Sequence, residues 1–171
     1  MGKNIYWLDG NDKIILVSPS WDQFALDNDG EHVISSDILG KTIWEFVHGD
    51  VTRMWLETLF TLARLRGTPV VRPYRCDSPN IRRYMSLNIA LENSNVLRVE
   101  HIILSTEPRE IPVYMQAAKR LSTNFNLRCS ICGRMEFETS WVEPEDHPGA
   151  ENKSQAGSFQ VIYTVCKDCY R

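Results

Sequence analysis

The chain has 171 residues, 43% of them hydrophobic and 24% charged, which suits one ordinary domain or a smaller one with an appendage. Its net charge of −3 argues against a general nucleic-acid binder, which carries a basic surplus. No apolar run approaches the ~20 residues that cross a bilayer, and Met1-Gly-Lys-Asn-Ile-Tyr-Trp7 lacks the apolar core of a secretory signal, so a cytoplasmic protein with no membrane role is expected.

In chain order, residues 5–8 and 13–17 read as two strands around the turn Asp9-Gly-Asn-Asp12, a hairpin. Ser18-Pro-Ser20 precedes Trp21, Phe24, Ala25 and Leu26, the pattern of a helix start, and residues 27–30 end that helix. Residues 31–49 are irregular, with short helical turns, the clearest at Ile43-Trp44-Glu-Phe46-Val47. Asp50 can cap a longer helix whose apolar positions are Val51, Met54, Trp55, Leu59, Leu62 and Leu65, one face against a core. Gly67 and Pro69 close it.

Three strands follow in a meander. Residues 70–76 are extended, and Asp77-Ser-Pro-Asn80 is a turn. Residues 81–91 alternate through Met85, Leu87 and Ile89, as a half-buried strand does. After the turn at 93–95, Leu97, Val99, His101 and Ile103 share one face, and apolar residues at 102 and 104 suggest a central strand covered on both sides there. Cys76 reads as a small buried apolar residue. Arg72, Arg75, Arg82 and Arg83 read as a solvated cluster paired with Asp77, with an anion or partner site as the alternative.

Two strands, short helices, one longer helix and a three-stranded meander imply an α+β fold, with a five-stranded antiparallel sheet and helices on one face. This layout resembles a PAS domain. Ser18-Pro-Ser-Trp21 to Phe24-Ala25 resembles the PAS entry after the second strand, and Gly40-Lys-Thr-Ile-Trp44-Glu-Phe46-Val47 resembles the step before its long helix. The resemblance implies a sensory or interaction module that binds a small ligand or a protein partner. His101, Met54 and Trp44 are the candidate ligand-contacting residues. His48 follows the Trp44 turn and in principle can ligate a haem iron, but PAS haem ligands come from the long helix, which has no histidine here.

Beyond Pro108 and Pro112, Ile111, Tyr114, Met115, Ala118, Leu121 and Phe125 predict an amphipathic helix over 111–125. It packs on the same chain or, as the PAS resemblance implies, relays a signal or dimerises. The expected organisation is a PAS-like domain at 1–107, a linker helix at 108–127 and a metal-binding module at 128–171.

That last module carries the most specific motif. Cys129-Ser-Ile-Cys132 and Cys166-Lys-Asp-Cys169 are two Cys-x-x-Cys pairs at the spacing of a closed, all-sulfur tetrahedral zinc site. The competing readings are two disulfides or a thiol-redox pair; reducing surroundings and the repeated spacing favour structural zinc. Strand candidates at 137–142 and 159–165 flank a loop at 143–158 rich in Glu, Pro, Gly, Ser and Asn, and the whole resembles a zinc ribbon. His147, in the loop, reads as solvated.

No nucleophile–base pair, phosphate loop or His-Glu-x-x-His is present, so no enzymatic activity is expected. The leading expectation is a sensory or interaction module of the bacterial signalling type. It would carry structural Zn2+ and a PAS-like cavity for one unidentified small ligand, and would act through a protein partner or homodimer. The alternatives are a nucleic-acid-associated zinc-ribbon protein and a thiol-redox protein. Arg128, Arg134, Lys167 and Arg171 near the cysteines speak for the former, and the acidic run Glu143-Pro-Glu-Asp146 against it.

Overall fold

The computed structural model describes residues 3–27, 30–118, 124–150 and 157–170. Strands β1 (Lys3–Leu8) and β2 (Ile14–Val17) pair antiparallel as the opening hairpin. Its turn is tied by the Asp9 carboxylate, which accepts the N–H of Asn11 at 2.8 Å and of Lys13 at 2.9 Å. Helix α1 (Trp21–Leu26) follows, but Ser20 makes no side-chain cap. Helix α2 (Ser35–Ile38) lies between single 3-10 turns at Glu31–Val33 and Ile43–Glu45. The second turn is fixed by a reciprocal capping box between Thr42 and Glu45. Helix α3 (Asp50–Arg66) is stopped by Gly67, whose φ of +61° only glycine adopts without steric cost. Then come β3 (Val70–Arg75), β4 (Ile81–Asn93) and β5 (Val96–Pro108).

The fold is mixed α+β, with two five-stranded sheets. The chain divides into two compact units. The first comprises Met1–His48, Leu56–Pro73 and Met85–Leu104; the second comprises Gly49–Trp55, Tyr74–Tyr84 and Ser105–Arg171.

The first unit is built on the sheet ordered β2-β1-β5-β4-β3, with β5 in the middle. Its register sets Tyr6 opposite Val99 and Leu8 opposite Leu97. The core consists of Leu8, Ile14, Ile38, Leu59, Phe60, Ala63, Leu87, Ile89, Leu97 and Val99. The double cover expected at the far end of β5 is not found: Ile102 and Ile103 are half-buried and Leu104 is exposed.

The face of α3 also differs from expectation. Leu59, Phe60 and Ala63 are buried, whereas Met54 is 48% exposed and Leu65 80% exposed. At about 100° per residue, a stripe drawn through Met54 and Leu65 lies well round the helix from one centred on Phe60 and Ala63. The helix is further oriented by Arg64, whose guanidinium meets Asp12 at 2.7 Å and the Asp9 carbonyl at 2.9 Å.

The second unit contains the other sheet. Its strands are β6 (Val113–Ala117), β7 (Asn126–Cys129), β8 (Met135–Phe137), β9 (Ser140–Val142) and β10 (Gly157–Thr164), in the order β6-β10-β7-β8-β9. The helix expected over 111–125 is a strand at Val113–Ala117, while residues 119–123 lie outside the described residues. Val113 is buried, Tyr114 exposed and Met115 half-buried, a two-residue alternation as compatible with this stretch as the helical one. Parallel pairing with β10, from Gly157↔Val113 to Val161↔Ala117, settles the choice, and that partner lies some forty residues away. The single strand expected over 137–142 is instead the β8–β9 hairpin, turning at Glu138 with φ +52°. Val113, Met135, Phe159 and Val161 form this sheet's small core.

Candidate metal centre

The four cysteines come from three places in the second unit. Cys129 ends β7, Cys132 lies in the turn after it, and Cys166 and Cys169 lie at and within the short helix α4 (Lys167–Tyr170). The first turn closes through Gly133, whose N–H donates to the Cys129 carbonyl at 3.0 Å. Gly133 has φ +73°, and a Cβ there would sit 3.2 Å from Asp77 Oδ2 and 3.3 Å from Arg75. Glycine is therefore required twice over, by backbone and by space. The second turn closes through the N–H groups of Cys169 and Tyr170, both donating to the Cys166 carbonyl. Two further hydrogen bonds bind the first turn to its surroundings, Arg75 N–H to Ile131 O at 2.7 Å and Ser130 N–H to Thr164 O at 2.8 Å.

All four sulfurs lie within 4.8 Å of one another, and Cys132 and Cys166 Sγ are 3.9 Å apart. Tetrahedral sulfurs about 2.3 Å from a central zinc stand about 3.8 Å apart, so the donor set fits such an ion. None of the five cysteines is in a disulfide. Cys129 and Cys166 are buried, and Ile131, Trp55, Tyr74, Trp141 and Val165 pack around them.

The electrostatics also favour a cation. Cys129 is held below the usual thiol range by hydrogen bonding from the Cys132 thiol and, despite burial, by backbone N–H groups that include those of Cys166 and Ile131, both 3.4 Å from its sulfur. The Cys132 thiol is pushed up because it donates to Cys129. Burial pushes Cys169 up to about 12. Four thiols this close cannot all ionise unaided; a divalent ion in their midst removes the obstacle.

The other sequence candidates are not gathered at one site. His101 stacks on Tyr6 with ring centroids 5.5 Å apart, and burial holds its imidazole down at about 4. Trp44 donates Nε1–H to Asp12 Oδ2 at 3.1 Å and packs on Phe60. Met54 belongs to the second unit and is exposed, unlike the buried pocket residue expected. Cys76 is exposed too, contrary to expectation. His147 stands edge-on to Phe137 and Phe159, and its Nδ1 accepts the Gly149 N–H at 3.0 Å, so it is a packed aromatic group of the loop.

Of the arginines expected in a solvated cluster with Asp77, Arg75 does pair with it and Arg82 joins the same network, but Arg75 and Asp77 are buried and the network also draws in Arg109, Glu143 and Glu145, which the sequence reading did not connect. Asp77 and Arg109 have side chains only 3% and 1% exposed and meet at 2.5 Å. Arg75 binds Asp77 at 2.5 Å and both oxygens of Glu143, at 2.8 and 2.9 Å. Arg109 also bonds Glu145, which Arg82 reaches at 3.0 Å. Burial opposes ionisation of both Arg75 and Glu145. Asp77 and Glu143 nevertheless raise Arg75, and Glu145 is held below the usual carboxylate range by its own backbone N–H and by the charges of Arg109 and Arg82. The acidic run at 143–146 thus contributes internal counter-ions. The network's advance sign was the arginine cluster around Asp77; spacing alone does not bring Glu143 and Glu145 to it.

The structure therefore defines an α+β protein with a four-cysteine site able to hold a metal ion. No protein-family model matches the chain, and no curated protein matches it. Among solved structures, one similar to part of the chain is a domain of an HTR-like protein from Haloarcula marismortui ATCC 43049. It is 14% identical with a TM-score of 0.45, and the match covers 60% of this chain and 98% of that one. No functional conclusion is taken from a likeness at that level. Among the described residues, no helix is long and apolar enough to cross a membrane.

Proposed function

We propose that Cys129, Cys132, Cys166 and Cys169 hold one structural Zn2+ ion, and that the chain is a non-catalytic sensory or interaction module with a PAS-like first unit. The observation that carries the metal reading is the convergence of four unbridged sulfurs within 4.8 Å. The ion would supply the charge that lets all four thiolates persist, and would cross-link two turns separated by 34 residues. A closed sulfur shell has no open position for a substrate, which supports a structural over a catalytic role.

The PAS-like reading draws support from the order of elements: hairpin, short helices, one long helix, then three strands, with β5 central. Burial of Leu59, Phe60 and Ala63 on α3, with Leu87, Ile89, Leu97 and Val99 on the sheet, favours a packed interior. The first unit is accordingly read as a surface for a protein partner or second copy before a chamber for a small molecule. A nucleic-acid role draws less support: Arg128 and Arg134 turn towards Asp77 and Glu143, at 3.6 Å each.

Native mass spectrometry with elemental analysis of the full chain, purified without added metal, tests the assignment. One zinc per chain, lost on replacing any one of the four cysteines, is expected. Iron at that stoichiometry, or metal-free protein with oxidised cysteine pairs, would overturn it.

A further inference from the structure

A cavity of about 200 Å³ opens in the second unit beside the ionic network and apart from the cysteines. Its wall is formed by Asp77, Ser78 and Pro79 of the turn before β4, Arg109 after β5, Val113, Tyr114 and Met115 of β6, Arg128 of β7 and Tyr163 of β10. Two guanidiniums and one carboxylate face one space, and the carboxylate is already saturated. Asp77 Oδ1 accepts from Arg75 Nε at 3.2 Å and from the Arg83 N–H at 3.3 Å, and Oδ2 accepts from Arg75 and Arg109 at 2.5 Å each.

Arg109 is engaged in the network: its two terminal nitrogens bond Asp77 and Glu145, and its Nε is buried. Arg128 is less committed. Arg128 donates Nε–H to the Gly133 carbonyl at 3.3 Å, but its terminal nitrogen stands 3.6 Å from Asp77 Oδ2, too long for a hydrogen bond. A buried guanidinium with spare donors calls for an acceptor. With Arg109 bonded to Asp77 and Glu145, Arg128 is the cation of the wall whose terminal nitrogens bond no carboxylate among the described residues. The rest of the wall is Ser78 with the apolar or aromatic Pro79, Val113, Tyr114, Met115 and Tyr163. Cavities of about 150 Å³ admit benzene, so this one has room for a ring-sized body and one small charged group.

From these features we infer that this cavity binds a small organic monocarboxylate, its carboxylate held by Arg128 and its apolar body lying against Val113 and Met115. A carboxylate suits the forked guanidinium geometry. It also leaves an uncharged end for the apolar wall, which a bare phosphate does not. No cysteine lines the cavity, so a ligand there makes no contact with the cysteine site, and metal content is read separately from binding.

Calorimetric titration of the zinc-analysed full chain with sodium benzoate and sodium isovalerate tests it. Benzyl alcohol supplies the body without charge, and inorganic phosphate the charge without body. At least one carboxylate should bind with a dissociation constant of about 0.1–1 mM, and both controls at least about tenfold more weakly. Arg128→Gln should weaken carboxylate binding by about tenfold or more. Met115→Trp, which fills the cavity and spares the charges, should abolish it, with metal content and circular dichroism unchanged; this variant keeps the test decisive if Arg128→Gln does not fold. No binding of either carboxylate to folded protein up to about 10 mM would overturn the inference. So would either control binding as tightly as the carboxylates, or carboxylate binding undiminished in folded Met115→Trp.

Discussion

The first unit is held by an ordinary hydrophobic core of large aliphatic and aromatic side chains from one sheet and one helix. Among the described residues the second has a small core of Val113, Met135, Phe159 and Val161, with a separate cluster around the cysteines and charged pairs buried between its strands and loop. Small apolar cores rarely stabilise a fold alone and are commonly supplemented by metal or cross-links. The contrast teaches that one chain can use two stabilising strategies: non-directional burial in one unit, and directional bonds between specific atoms in the other.

Breaking the directional bonds should give the largest effects. Chelation or Cys129→Ser should unfold the second unit, since structural zinc contributes on the order of 10–16 kcal/mol in small metal-dependent modules. Hydrogen exchange would then show Phe159 and Val161 amides losing protection while Leu97 and Val99 keep theirs. Equal loss in both places would erase the proposed distinction.

Asp77→Ala should cost about 3–5 kcal/mol, because Arg75 and Arg109 would be left buried with an uncompensated charge. Phe60→Ala in the first unit should cost a similar ~3–5 kcal/mol by opening a cavity. The two are told apart by a second substitution. Adding Arg109→Met to Asp77→Ala should recover part of the loss in chemical denaturation, because removing both charges removes the penalty. Such recovery is not available at Phe60.

The first unit should still show one pH-dependent feature. Burial lowers His101 from 6.5 to about 4, so between those values the unfolded chain binds the extra proton and the folded chain does not. Stability should therefore fall as pH drops from 6.5 towards 4, by at most about 3 kcal/mol from this group, and show no His101 contribution to its slope above that window. Denaturation of His101→Phe at several pH values should show that slope reduced; an unchanged slope would place its origin elsewhere. The smallest effect is expected at Met54. At 48% exposure, Met54→Ala should shift stability by no more than about 0.5 kcal/mol, and a larger cost would mean that this face is covered in solution.

Much of this was legible one residue after another. The opening hairpin, the meander of β3 to β5 and the α+β class follow from turn residues and alternating burial, which are short-range signals carried by neighbours in the chain. The four-cysteine set was equally plain, because its chemistry is encoded in spacings of three residues within each pair. Three features were settled only when distant segments met. Val113–Ala117 is a strand because Gly157–Val161 lies alongside it. Helix α3 is buried through Phe60 and Ala63, where Trp44 packs on Phe60 and Asp9 and Asp12 bind Arg64, partners that come from far back in the chain. Asp77 and Arg109 are interior groups because Arg75, Glu145 and one another supply the opposite charges that allow burial. Propensity and spacing act over a few residues, whereas strand pairing, helix phase and the burial of charge depend on partners that sequence order does not bring near.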